Sequence, residues 1–237
     1  MSNLRTLVFF ATPPHDCSYL PDREATTMFV DPRAHIDKKL YSQLTALGFR
    51  RSGGHYYRPH CEQCNACIPV RLKVDDFEPD RSQRRVLKKN EDLECMLVPA
   101  TFTERYYQLY ATYIEERHKD GDMYPPSREQ FTSFLVEGAT DSWFLEIRKD
   151  NNLVGLAAVD LLDDGLSAIY TVFEPEMEDR SLGTFAILWQ IEEARRKGLP
   201  HLYLGYWIKQ CRKMNYKTRF RPIEALRDGH WRELNAD

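Results

Sequence analysis

The sequence predicts an α+β protein in two parts: a small, irregular, cysteine-containing stretch over residues 1–95, and a helix-and-sheet part over residues 96–237. Three observations lead there. Turn formers, cysteines and basic residues dominate up to about residue 90. Beyond residue 100, apolar residues recur at helical spacing in several segments. Between those segments lie three runs rich in β-branched and aromatic residues, bounded by turn-forming pairs, as antiparallel strands require.

In the first part, residues 36–47 read as one short helix closed by Gly48, whose missing Cβ suits a left-handed cap. Thr101 with Glu104 makes a capping box for a second helix, with Phe102, Tyr106, Leu109, Tyr110 and Tyr113 on its apolar face. Ser127 with Gln130 opens a third, which turns Phe131, Phe134 and Leu135 inward. Strands over 143–148, 153–161 and 166–173 follow, joined through Asn151-Asn152 and Asp164-Gly165 into a meander. A long helix over 182–197 ends at Gly198 and Pro200, and a strand over 201–206 leads into a basic segment.

That element order is the order of the Gcn5-related N-acetyltransferase fold, whose sheet splays open near its middle strands. A coenzyme A enzyme of this GNAT-like architecture sets Arg/Gln-x-x-Gly-x-Gly/Ala before the long helix, so that backbone N–H groups bind pyrophosphate. In "RSLGTF" Arg180 and Gly183 fit, but Phe185 stands where a small residue is needed. A different acyl donor is expected. Fold alone does not give function, so site residues must decide.

Composition narrows the field. The apolar run 7–11 is too short for a signal segment and is stopped by Pro13 and Pro14, and nothing later approaches a membrane span, so a cytoplasmic protein is expected. Six cysteines in 237 residues do not make a disulfide scaffold. A net charge of -3 excludes a uniformly basic nucleic-acid binder, yet the charge is segregated. Arg81, Arg84, Arg85, Lys88 and Lys89 form one basic cluster, while "YLGYWIKQCRKMNYKTRF" (203–220) carries five cations, no carboxylate and interleaved aromatics. Solvated helix faces are the plain alternative for both clusters.

Long strings then point to a family. The runs "HKDGDMYPPSREQFTSFL", "LSAIYTVFEPEMEDRSLGTFAILWQIEEA" and "LYLGYWIKQCRKMNYKTRFRP" resemble the arginyl-tRNA–protein transferases. "CSYLPDREATTMFVDP" and "GFRRSGGHYYRPHCEQCNACIPVR" resemble the short bacterial form of that family. The resemblance covers nearly the whole chain. It implies transfer of leucine from leucyl-tRNA to a protein beginning with Asp or Glu, as a step in N-degron protein degradation. Arginyl transfer is the alternative within the family, and coenzyme A-dependent acyl transfer the alternative within the fold.

Site expectations follow from that chemistry. Cations neutralise phosphates and aromatic faces stack unpaired bases, so Tyr206, Trp207, Lys209, Lys213, Lys217 and Arg219 are candidates for the tRNA end. Asp160 and Tyr170, on neighbouring strands, are candidates for the acyl-transfer step; the plain alternatives are a turn-starting Asp160 and a sheet-packing Tyr170. Arg58, Arg71 and His118, in the matching strings, are candidates for an acidic N-terminus, since a cation selects carboxylate. The transfer requires no cofactor, because the ester is already activated. Cys61, Cys64 and Cys67 at C-x-x-C-x-x-C spacing, with Cys17 as an available fourth, could hold a metal or remain thiols. Arg71 stands where a ferredoxin's next cysteine falls, and the resemblance links paired cysteines here to an iron-sulfur or other metal site.

Overall fold

The structure, a computed structural model, describes residues 4–138 and 141–234. Its first part runs β1 Phe9–Ala11, β2 His15–Asp16, β3 Glu24–Ala25, β4 Thr27–Val30, α1 Lys38–Ala46, β5 Arg50–Ser52, β6 His55–Pro59, β7 Ile68–Lys73, α2 Arg81–Lys89 and β8 Glu94–Pro99. Next come α3 Glu104–Arg117 and α4 Arg128–Phe131, which passes into a π-helical turn Thr132–Val136. The meander is β9 Ser142–Lys149, β10 Asn152–Leu161 and β11 Gly165–Phe173. A 3-10 turn Pro175–Arg180 precedes α5 Leu182–Arg196 and β12 His201–Trp207, and a second one, Arg212–Arg219, precedes β13 Ile223–Arg227 and β14 His230–Glu233.

The architecture is mixed α and β. One eight-stranded sheet has the order β14-β13-β7-β12-β11-β10-β9-β8, and a four-stranded sheet has the order β1-β4-β6-β5. Strand β10 is buried over most of its length because helices cover both faces of the sheet. Tyr106, Tyr110 and Ile114 of α3 pack with Leu156 and Ala158 on one face, while Leu182, Phe185 and Ala186 of α5 pack with Val154 and Ala157 on the other. The expected helices and strands stand within a residue or two, with one shift. Thr103, not Thr101, caps α3, because its hydroxyl accepts from the Tyr106 N–H (3.2 Å).

Residues 1–95 and 96–237 share a sheet. Strand β7, from the first stretch, lies between β12 and β13, and β8 forms the far edge. The cysteine-rich segment therefore continues into the framework of the second part.

Near the middle of the large sheet two strands part. Parallel β11 and β12 pair only over Gly165–His201, Leu166–Leu202 and Ser167–Tyr203. Beyond Ser167, β11 stays with β10 while β12 follows β7. An extra residue on each diverging strand, Ile169 and Leu204, bulges there, and bulges increase local twist. The result is a wedge-shaped gap.

Candidate functional site

Arg50 fills that gap. Its Nη1 donates to Ser167 Oγ (2.8 Å) and its Nη2 to the Ala168 carbonyl (2.5 Å), across more than a hundred residues of sequence. Gly205 makes room on the other strand: its φ is +79°, and a Cβ there would lie 3.1 Å from Arg50 Nε. Among the described residues no carboxylate pairs with Arg50.

A cleft of about 780 Å³ opens beside it, bounded by Arg50 and Tyr57 of the β5–β6 hairpin, Gln130 and Phe134 of the third helical segment, Met123 and Ile169. Its walls are locked. Gly53 and Gly138 touch so closely that a Cβ on Gly138 would fall 2.3 Å from Gly53 backbone atoms. The next residue of β5, Arg51, is buried within the cleft wall and donates to Asp160 through Nε and Nη2, to Ser142 Oγ, and to the Phe134 and Glu137 carbonyls.

This overturns the catalytic assignment of Asp160. Its carboxylate also accepts from Tyr41 (2.7 Å) and Ser142 (2.7 Å), and it is fully buried. With its lone pairs occupied and no path to a substrate, it is an anchor for the cleft wall and cannot serve as a base. Tyr170 differs. Its hydroxyl is buried without a hydrogen-bond partner, its ring packs on Phe134 at 5.6 Å, and burial, with Tyr113 and Tyr110 nearby, raises its pKa well above the ordinary range. It stays protonated and able to donate.

The expected tRNA-contacting residues divide. Lys209, Lys213 and Arg219 are exposed. Gln83 of α2 donates to the Arg219 carbonyl (3.0 Å), so the two basic clusters adjoin. Tyr206 is corrected: it is a core residue, its hydroxyl held by the Gly48 and Tyr57 carbonyls and its ring on the wall of the cysteine-lined cavity, away from the exposed basic segment. Lys217 is corrected too. It is 8% exposed and donates to the Tyr206 carbonyl (2.5 Å), and burial followed by the charge of Arg50 lowers its pKa to about 7. Trp207 packs half-buried against the core, its indole N–H buried. Tyr216, an interleaved aromatic of the basic segment not singled out as a candidate, is the one exposed there, at 43%.

The expected carboxylate receptors do not converge. Arg71 is already engaged, with Nε on Glu224 at 2.7 Å and the guanidinium over Trp231 at 4.4 Å. Arg58 lies over Phe49 at 5.3 Å and does not line the cleft. His118 caps α3 half-buried; burial, then Lys213, lowers its pKa, which disfavours the imidazolium a carboxylate would need. Arg50 escaped notice because nothing local distinguishes it from Arg51. Two adjacent arginines on a strand that point to opposite sides were the available signal.

Cys17, Cys61, Cys64 and Cys67 do line one cavity of about 710 Å³, which shares Tyr19 and Tyr57 with the cleft. Yet among the described residues no three His, Cys, Asp or Glu are disposed to hold a metal ion.

Comparison with known proteins gives first the class: a transferase that uses aminoacyl-tRNA and protein substrates. Residues 15–85 match the model of arginine-tRNA-protein transferase, N terminus, and residues 105–227 that of its C terminus. The chain belongs to that family. It is 86% identical to an aspartate/glutamate leucyltransferase of Marinobacter nauticus over the whole of both chains. Identity is 58% to the one from Pseudomonas fluorescens (99% of this chain, 100% of that) and 56% to the one from Alcanivorax borkumensis (98% and 96%). Among solved structures, L-PGS from Bacillus licheniformis aligns with a TM-score of 0.45 at 9% identity, covering 60% of this chain and 47% of that one. Among the described residues no helix is long and apolar enough to cross a membrane.

Proposed function

We propose that this chain transfers leucine from leucyl-tRNA to the α-amino group of proteins beginning with Asp or Glu, creating an N-terminus that marks them for degradation. The observation that carries the reading is the adjoining of two basic clusters, through Gln83 and Arg219, in a chain whose open cleft holds a guanidinium. Lys209, Lys213 and Arg219 neutralise phosphates, and the Tyr216 ring offers a stacking face to an unpaired base of the acceptor end. Whole-length identity of 86% to a protein named for leucine transfer supports leucine as the donor. Both substrates are cytoplasmic, which supports that compartment.

The parting of β11 and β12 supports a GNAT-like fold with acyl transfer at the gap. Coenzyme A is disfavoured there: Arg50 occupies the gap, and Arg180, the would-be pyrophosphate ligand, is held by Asp92 at 2.7 and 2.9 Å.

In the reaction the acceptor's α-ammonium, with an ordinary pKa of about 7.7 to 8.0, first loses a proton to water or a weak base. The neutral nitrogen attacks the leucyl ester carbonyl, a C–N bond forms, the C–O bond to the terminal ribose breaks, and the departing oxygen takes up a proton. Because the ester is already activated, positioning supplies most of the acceleration and no cofactor is required. Tyr170, whose buried hydroxyl is unpartnered and whose ring packs behind the cleft residue Phe134, is the candidate donor to the developing oxyanion. The four cavity thiols stand outside this step.

The test is transfer of labelled leucine from leucyl-tRNA to a Glu-starting peptide by the purified protein, with arginyl-tRNA and acetyl-CoA in parallel. Leucine alone should be transferred. Transfer of arginine or acetyl in its place overturns the reading.

A further inference from the structure

We propose that Arg50 is the receptor for the side-chain carboxylate of the acceptor's first residue, an inference that rests on the transfer reading above. A half-buried guanidinium ordinarily has a carboxylate partner, since its charge is costly to desolvate alone. Elsewhere in this chain that holds: Arg51 has Asp160, Arg71 has Glu224, Arg148 has Glu146 and Arg180 has Asp92. Arg58 and Arg221 lack one, but neither lines the cleft, Arg58 lying over Phe49 and Arg221 donating to the Thr218 and Leu234 carbonyls.

Among the described half-buried arginines, Arg50 alone combines the missing carboxylate with a wall position in this cleft. Its two hydrogen-bond partners, Ser167 Oγ and the Ala168 carbonyl, are neutral; they orient the fork without cancelling its charge. Asp122 and Glu137 also line the cleft, yet neither forms an ion pair with it. Nearby Lys217, lowered toward neutrality by burial and by Arg50 itself, leaves Arg50 as the dominant cation at the gap. A carboxylate entering the cleft therefore meets a planar donor already held in place, and a carboxamide of the same shape meets donors it can satisfy only through one neutral oxygen. The preference for Asp and Glu over Asn and Gln then resides in this side chain.

The experiment measures kcat/KM for leucine transfer to matched peptides starting with Glu and with Gln, using the full-length protein and its Arg50→Gln, Arg50→Lys and Ser167→Ala variants, alongside leucyl-tRNA affinity. In Arg50→Gln the Glu:Gln ratio should fall by about 10- to 100-fold, the scale of one lost charged hydrogen-bonding partner, with leucyl-tRNA affinity retained. Arg50→Lys should fall between, and Ser167→Ala should raise KM for the Glu peptide a few-fold with kcat unchanged. A ratio unchanged in Arg50→Gln, or equal loss on both peptides, overturns the assignment. Should Arg50→Gln not fold, unaltered ratios in Arg50→Lys and unaltered KM in Ser167→Ala do so. No transfer by the wild-type protein would instead sink the reading of the previous section, whereas wild-type transfer with an unaltered ratio in the variants sinks this one alone.

Discussion

Arg51 and Asp160 meet in a two-pronged ion pair, Nε to Oδ2 at 2.5 Å and Nη2 to Oδ1 at 2.7 Å, with side-chain exposures of 0% and 1%. The pair ties the β5–β6 hairpin to the meander. Through the carbonyls of Phe134 and Glu137 it also holds the helical wall of the cleft.

Removing one partner strands the other. Asp160→Asn should destabilise the fold by about 3 to 5 kcal/mol, because the guanidinium remains buried without its counter-charge. Urea unfolding reads this directly. A variant that keeps wild-type stability but loses turnover would restore Asp160 to the chemistry.

Tyr170→Phe should do the reverse. Its hydroxyl has no partner to lose, so stability should hold or rise slightly, while kcat should fall about 100-fold if an oxyanion donor is removed. Stability and single-turnover rate, measured together, decide; an unchanged rate leaves Tyr170 as sheet packing.

Neutralising Lys209, Lys213 and Arg219 to Gln should weaken tRNA binding and flatten its salt dependence, by a slope of about 0.7 per lost single-strand phosphate contact. Binding titrations at several salt concentrations give the slope. Lys217→Gln, at a buried position, should leave that slope alone.

Lys217 should instead appear in the pH dependence of stability. Its folded pKa of about 7 lies below the ordinary lysine value, so above pH 7 the unfolded chain holds a proton there that the folded chain does not. Stability conferred by this site therefore rises with pH from about 7 to about 10.4 and is lowest below that window. Denaturation of wild type and Lys217→Met at pH 6.5, 8 and 9.5 should show a difference that shifts toward the wild type as pH rises; a constant difference contradicts the assignment.

Gly138→Ala should be severely destabilising. The residue has φ +101°, and its Cβ would fall 2.3 Å from Gly53 backbone. Backbone strain alone accounts for about 1 to 3 kcal/mol, and the clash adds to it. A melting temperature within a degree of wild type would show that the Gly53–Gly138 contact is looser than this.

Much of the scaffold was legible in local pattern. Ser127 caps where its spacing to Gln130 said it would and Gly48 closes α1 with φ +87°, but the turn between β9 and β10 is made by Asp150-Asn151, both at positive φ, one residue before the expected Asn151-Asn152, because Asn152 already pairs with Lys149. The site was less legible. Asp160 and Tyr170 were chosen together for being near the splay, but one is saturated by Arg51, Tyr41 and Ser142 and the other is unpartnered. No local feature of either residue distinguishes those fates.

By itself, then, the chain's residue order determined its helices and strands, the segregation of its basic residues and its family, because periodicity, capping and long shared strings are properties of neighbours along the chain. Tertiary structure alone decided which cations face water, which is buried and driven toward neutrality, and which stands uncompensated at a cleft. Arg50 meets Ser167 across 117 residues, and only the parting of β11 from β12 makes room for it. Burial and pairing of charge depend on what the fold brings together, and they set the energies on which recognition rests.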